Sequence, residues 1–322
     1  MANFLDLTAL PSFTDREAAR FIFQPLFTDN PDISRYDVRF GIKSETAVQK
    51  FGTLRKITKT AAKGFSSTGT SALTERVISP KRLKAQNAED AYNIFGKVQE
   101  QMLNLSPDKD NLEGTDLRDI LFEIQRRAIE DDMMRQLWFA DTASGDADYS
   151  VYEGIFKRYD SLPAPQKLVF PAGALGTDAA QDEFEKLWDA APAELKGMKD
   201  MAVIECSGNV WDNYVETLEE RGTEISDQRL NDGSTGAMWR GIPIIVHRNW
   251  DRDIAADALA TDVARIVMHV PKNVMIGTDL ADSVTNTKTW YNIDDEEYRF
   301  RTSYIMDTQY ANDELAVTSI AA

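Results

Sequence analysis

A mixed α+β fold is the class this sequence predicts, and three observations predict it. Residues 115–142 carry apolar side chains at helical spacing over a length unusual for a globular helix. The second half of the chain is a series of short apolar runs bounded by turn residues, the mark of buried strands. Between residues 35 and 86 two extended basic arms flank a Gly/Ser/Thr-rich stretch. With 322 residues, 43% of them hydrophobic, the chain can build one elaborate domain or two smaller ones. With 28% charged residues and no low-complexity tract it reads as folded.

Several classes fall away early. No apolar run approaches the roughly 18–20 residues that span a bilayer. The opening MANFLDLTALPSFTDREAAR brings in Asp6 before any apolar run and is not expected to be a secretory signal. One cysteine, Cys206, excludes an internal disulfide framework and suits a reducing compartment. It lies in the apolar run MAVIECS, where a buried inert thiol is expected.

In order along the chain, residues 1–34 are broken by Pro11, Pro25 and Pro31, and FIFQPLF (21–27) is apolar enough to lie along another surface. From Arg35 to Ala85 there are twelve Lys/Arg against three acids. That segment is near +9 in a chain of net charge −17, leaving the remainder near −26. AAKGFSSTGTSA (61–72) has the composition of a loop tip, and Pro80 makes the second arm an edge strand or a bulge. The sequence therefore predicts an extended hairpin standing away from a core. NAEDAYNIFGKVQEQMLN (87–104) is expected to be helical, and SPDKDNLEG a polar turn.

The strongest helix follows, with Leu117, Ile120, Leu121, Ile124, Ala128, Met133, Leu137 and Trp138 as its apolar stripe and Asp116 and Asp119 in its first turn. After the linker SGDADYS come YEGIFKRYDSL and a shorter helix over 178–189. Residues 196–222 read as strand, cap and helix, with Ser207 or Asn209 as the cap. MWRGIPIIVHRNW (238–250) is a buried strand entered through Gly241, and VARIVMHV and KNVMIGTD are further strands. TWYNIDDEEYRFRTSYI (289–305) predicts a hairpin turning at Asp294–Asp295, with Tyr298, Phe300 and Tyr304 on one face and Arg299 and Arg301 on the other. ELAVTSI (314–320) is a last strand, and no internal repeat is visible.

The search for chemistry is brief. His247 and His269 lie in apolar, strand-like runs without a His or Cys at ligand spacing, so both are expected to be satisfied, partly buried residues. DKDNLEG (108–114) lacks the ordered ligands of a calcium loop. GFSSTGTS, from Gly64, has no Lys after Gly69 and no strand-to-helix context, so it is no phosphate loop. Asp131–Asp132, Glu219–Glu220 and Asp294–Asp295 fall on expected solvent faces or turns, and nothing singles one pair out for acid–base work. No catalytic residue, metal or cofactor is assigned.

The order of parts resembles the tailed-phage major capsid proteins of the Hong Kong 97-type fold, from about residue 35 onward. "MWRGIPIIVHRNWDRD" and "PKNVMIGTDLADS…TWYNIDDEEYRFRTSY" carry the resemblance most specifically, as patterns of buried strands and turns. It implies an N-terminal arm (1–34), an extended loop (35–86), a peripheral domain (87–196 with 261–322, its spine helix at about 115–140) and an axial domain (197–260). It implies a structural protein that assembles into hexamers and pentamers of an icosahedral head around double-stranded DNA, made in the bacterial cytoplasm. A portal protein and a separate scaffold are implied partners, since the chain has no room for a long cleaved scaffolding segment. The family's Lys–Asn cross-link is not carried over, because no partner Asn or assisting acid can be matched.

On this reading the loop lies on the next copy through Arg55, Lys56, Ile57, Lys59 and Lys63 on one arm and tip. Arg76, Val77, Lys81 and Arg82 serve on the other arm. Trp239, Arg240, Asn249 and Trp250 are the expected axial contacts. Charge sets approach and register, since exposed ion pairs supply only about 0–1 kcal/mol each. Adhesion is expected from Phe51, Leu54, Ile57, Val77, Ile78 and Leu83. An encapsulin-like shell around enzyme cargo shares the fold and is the alternative, told apart by neighbouring portal and terminase genes. A nucleic-acid-binding role for residues 35–86 would show as salt-steep affinity for duplex DNA, which an acidic body opposes.

Overall fold

The computed structural model describes residues 33–51, 60, 73–90, 116–170, 175–221, 238–256, 264–279, 288–292, 294–295 and 297–320. They fall into two compact units: one drawn from 1–43, 80–154 and 276–307, the other from 44–79, 155–275 and 308–322.

The first unit is organised by helix α1 (Asp116–Phe139) and a five-stranded sheet. Its 24 residues make α1 about 36 Å long. Ile129, Met133 and Leu137 recur every four residues and are buried with Trp138. Ala128, expected in that stripe, is exposed, and the neighbouring Ile129 takes its place. Trp138 meets Tyr36 edge-on, with ring centroids 6.2 Å apart.

The sheet runs β1 (Asp37–Arg39), β10 (Val274–Thr278), β12 (Glu297–Tyr310), β11 (Lys288–Asn292), with β4 (Lys81–Asp90) antiparallel on β12. β11 and β12 form the expected hairpin, with Asp294 and Asp295 in the turn. Phe300 and Tyr304 are buried and Arg301 is exposed, as period-two alternation requires. Residues 87–90, expected to begin a helix, belong instead to β4 and pair with β12 through Asp90↔Glu297. The long partner strand overrides the local helical pattern. Residues 91–104 lie outside the described residues.

The second unit holds a six-stranded sheet in the order β5 (Lys167–Val169), β13 (Ala316–Ile320), β9 (Ile266–His269), β6 (Val203–Ser207), β8 (Ile242–His247), β7 (Met238–Trp239). β13/β5 and β6/β8 are parallel, and β13/β9, β6/β9 and β7/β8 are antiparallel. Helices α2 (Ile155–Tyr159), α3 (Ala179–Ala190), α4 (Ala193–Gly197), α5 (Gly208–Arg221) and α6 (Arg248–Ala256) complete it. Phe184 and Leu187 of α3 and Val210 and Tyr214 of α5 bury against Ile204, Ile242, Met268 and Val317 of the sheet. That shared core draws residues 155–196 into this unit, whereas the sequence grouped them with α1.

Arg240 and Gly241, both with positive φ, make the two-residue turn between β7 and β8. The strand expected to continue to residue 250 ends at His247. From Arg248 the burial spacing becomes helical, with Trp250, Asp253 and Ile254 inward. The cap of α5 is neither Ser207 nor Asn209 but Asp251 of α6, whose Oδ1 accepts the Asn209 N–H at 3.2 Å. A Cβ on Gly208 would sit 2.4 Å from Asp251 Oδ2, so this approach needs glycine.

A separate two-stranded ladder, β2 (Thr46–Phe51) with β3 (Leu73–Ile78), belongs to the second unit. It forms one part of the basic extended region, whose last residues run on into β4, and Pro80 falls in the break between β3 and β4.

Candidate assembly surface

Cross-strand pairing gives the β2–β3 ladder two distinct faces. Val48 pairs with Arg76 and Thr46 with Ile78, so these side chains share one face with Lys50. Ile78 is fully buried there. The opposite face carries Ala47↔Val77, Gln49↔Glu75 and Leu73, all exposed, with Leu73 at 54% and Val77 at 39%. Exposed β-branched and leucine side chains on a two-stranded ladder are an unfilled apolar surface, since such a ladder cannot bury them alone.

The residues expected on this loop separate accordingly. Arg55, Lys56, Ile57, Lys59 and Lys63, with Leu54, lie outside the described residues. Val77 faces outward, and Lys81 and Arg82 are exposed on β4. Arg76 turns to its own chain: Nη2 donates to Tyr310 Oη at 3.0 Å, its guanidinium lies 4.4 Å from that ring's centroid, and it pairs with Asp313. Ile78 and Leu83, expected to supply adhesion, are buried in their own chain. Lys50, Asn312 and Asp313 were not singled out from sequence; no local pattern marks them, because their partners lie more than 230 residues away.

The expected axial residues divide in the same way. Trp239 (5% exposed) packs on Phe184 and Trp188, with ring centroids 6.0 and 6.4 Å away. Trp250 (2% exposed) stacks on His247 at 4.6 Å and meets Phe156 edge-on at 5.0 Å. Both tryptophans are core. Arg240 and Asn249 remain at the surface, Arg240 lying over the Trp239 ring at 4.5 Å. Met198, Met201 and Met238 are further exposed apolar side chains of this unit.

The chain's two histidines meet on one carboxylate. Glu205 on β6 is diagonal to His247 on β8 and to His269 on β9. His247 Nε2 lies 2.7 Å from Glu205 Oε2, and His269 Nε2 lies 3.1 Å from Oε1. Tyr159 Oη is 2.8 Å from His269 Nδ1. An ionised carboxylate only accepts, so both imidazoles donate from Nε2 and the Tyr159 hydroxyl donates to Nδ1. Burial pushes the Glu205 pKa upward. The hydrogen bonds from His247 and His269 outweigh that and hold it well below the usual carboxylate range. Burial, then the Glu205 charge, pushes the Tyr159 phenol well above its ordinary value. Burial likewise raises the Cys206 thiol, keeping it protonated as its apolar run predicted. The cleft beside Tyr159, lined by Ile155, Arg158, Val274 and Tyr310, is too narrow to hold a water molecule. The cluster is a satisfied polar network inside the sheet. Among the described residues no group of three or more His, Cys, Asp or Glu is arranged to hold a metal ion. None of their helices is long and apolar enough to cross a membrane.

With the two sheets, the long helix and the ladder placed, the mixed α+β fold of the chain is similar to that of solved phage procapsid and capsid structures. A satellite phage P4 procapsid structure matches with a TM-score of 0.63 at 8% identity, covering 94% of this chain and 91% of that one. The capsid of a native GTA particle matches at 0.54 and 14% identity, covering 90% and 89%. A structure from Microbacterium phage Oxtober96 matches at 0.53 and 11% identity, covering 91% of each. At such identities the likeness is one of fold. No family model matches the sequence. No curated protein matches it either.

Proposed function

We propose that this chain is the major shell protein of a tailed-phage-type head, copies of which close into an icosahedral container of hexamers and pentamers around double-stranded DNA. The observation that carries the reading is the likeness in fold to a procapsid structure over 94% of the chain. The exposed face of the β2–β3 ladder supports it, since Leu73 and Val77 have apolar surface to offer a neighbouring copy. The charge distribution supports it as well. A segment near +9 on a chain whose remainder is near −26 steers copies toward one another and keeps the shell from clinging to DNA. Residues 35–86 serve as the loop that clasps the next copy and residues 197–260 as the axial domain, where Arg240 and Asn249 offer exposed polar contacts. A portal protein and a separate scaffold are the partners of such a shell, and the virion is its place. Negative-stain microscopy of the purified protein tests the reading: closed particles or capsomers are expected. Material that stays single-copy at all concentrations and salts overturns it. Particles that copurify with an enzyme and no DNA would identify a cargo compartment instead.

A further inference from the structure

The ladder is fastened to its own unit at one short stretch of chain, residues 309–313. Lys50 of β2 hydrogen-bonds the Asn312 side chain. Arg76 of β3 engages both the Tyr310 ring and hydroxyl and the Asp313 carboxylate. The Gln309 side chain donates to the Val77 carbonyl at 3.1 Å, tying down the ladder's backbone. The anchor is itself rigid: Tyr310 is buried, hydrogen-bonded to Ser161 at 2.7 Å and packed edge-on against Tyr159 at 5.3 Å. The Lys50 and Arg76 side chains lie on the face opposite Leu73 and Val77.

We propose that Arg76 and Lys50 form a latch that sets the direction of the β2–β3 ladder before assembly, so that its exposed face is already oriented for a second copy of this chain. The inference rests on the shell reading above and deepens it. A free two-stranded ladder is marginal and would swing on its connections. Each copy would then lose that freedom at encounter, which weakens and slows association. Cations on the inward face do not reach a neighbour; they hold the ladder so that apolar residues on the outward face can. Arg suits this role, because its planar guanidinium stacks on an aromatic ring while pairing with a carboxylate.

Spin labels on Gln49→Cys and Glu314→Cys in the full-length chain report the ladder's direction, since both native positions are exposed and Cys206 is buried. In dilute, unassembled protein one narrow distance distribution is expected. Arg76→Ala should broaden it and lower the initial assembly rate, followed by light scattering, about tenfold. The exchange Arg76→Asp with Asp313→Arg, which keeps the ion pair and gives up the stacking on Tyr310, should restore both in part. Lys50→Met, a milder change, should broaden the distribution less and guards against a variant that fails to fold. An Arg76→Ala distribution as narrow as the wild type overturns the latch. A broadened one with unchanged assembly overturns its role in orientation. Wild-type protein that never assembles overturns the shell reading instead, while the distances still decide whether the latch exists.

Discussion

Glu205 and His247 stand on neighbouring parallel strands, forty-two residues apart in the chain, with Oε2 and Nε2 separated by 2.7 Å. His269 completes the arrangement from the other flanking strand. A buried carboxylate taken from water is costly unless its oxygens are occupied, and here two imidazoles occupy them. Glu205→Gln offers only one accepting oxygen, so one imidazole loses its acceptor. The expected cost is about 1–3 kcal/mol at neutral pH, read from chemical denaturation.

The sign of the pH dependence follows from the same contacts. The folded-state pKa of Glu205 lies below its unfolded value. Its stabilisation is therefore complete above the unfolded carboxylate range and is lost as pH falls through and below it. The stability gap between wild type and Glu205→Gln should be widest near neutrality and close progressively below about pH 4. A gap that is constant from pH 7 to pH 3 would refute this account of the cluster.

The contact of Gly208 with Asp251 predicts a coupled pair. Asp251→Ala removes the cap from α5 and should cost about 1 kcal/mol. Gly208→Ala forces a methyl group against the Asp251 carboxylate. In the Asp251→Ala background that clash is absent, so the double variant should be more stable than the sum of the two single losses allows. Strict additivity in thermal melts would place the glycine's importance elsewhere.

Asp279 is buried, and among the described residues neither of its carboxylate oxygens has a hydrogen-bond partner; Lys43 Nζ lies 4.0 Å from Oδ2. Removing the charge should relieve more desolvation than it forfeits in attraction. Asp279→Asn is expected to raise the melting temperature of the unassembled chain, by about 1 kcal/mol in free energy. A lowered melting temperature sinks this reading.

Charge steering gives an assembly prediction. Reversing Arg55, Lys56, Lys81 and Arg82 to Glu should slow particle formation most at low ionic strength, the difference fading above about 0.1 M salt as screening shortens. Deleting residues 58–72 should leave a folded chain that forms capsomers poorly. Salt-independent kinetics in the first case, or wild-type yields in the second, would remove the basic region from the assembly mechanism.

Elements that advertise themselves locally were legible in the sequence. The spacing of Met133, Leu137 and Trp138 announced α1, and Asp294–Asp295 between alternating runs announced the β11–β12 turn. What depended on distant partners was not. Residues 87–90 read as helix because β12, which recruits them, lies two hundred residues on. Asp251 is invisible as the cap of α5 for the same reason, as are Lys50 and Asp313 at the root of the ladder. The two histidines were correctly read as buried and satisfied, yet nothing in their spacing revealed that Glu205 satisfies both. Trp239 and Trp250, expected at the axial contact from the resemblance, spend their area on the chain's own core.

The place of β13 has a consequence for biosynthesis. It lies between β5 and β9, so residues 316–320 fill an interior slot of the six-stranded sheet. Until those residues leave the ribosome, β5 has no neighbour and β9 has only one. The unit that carries the ladder is thus closed only once residues 316–320 are in place, and a chain folded without them would leave open edges at β5 and β9.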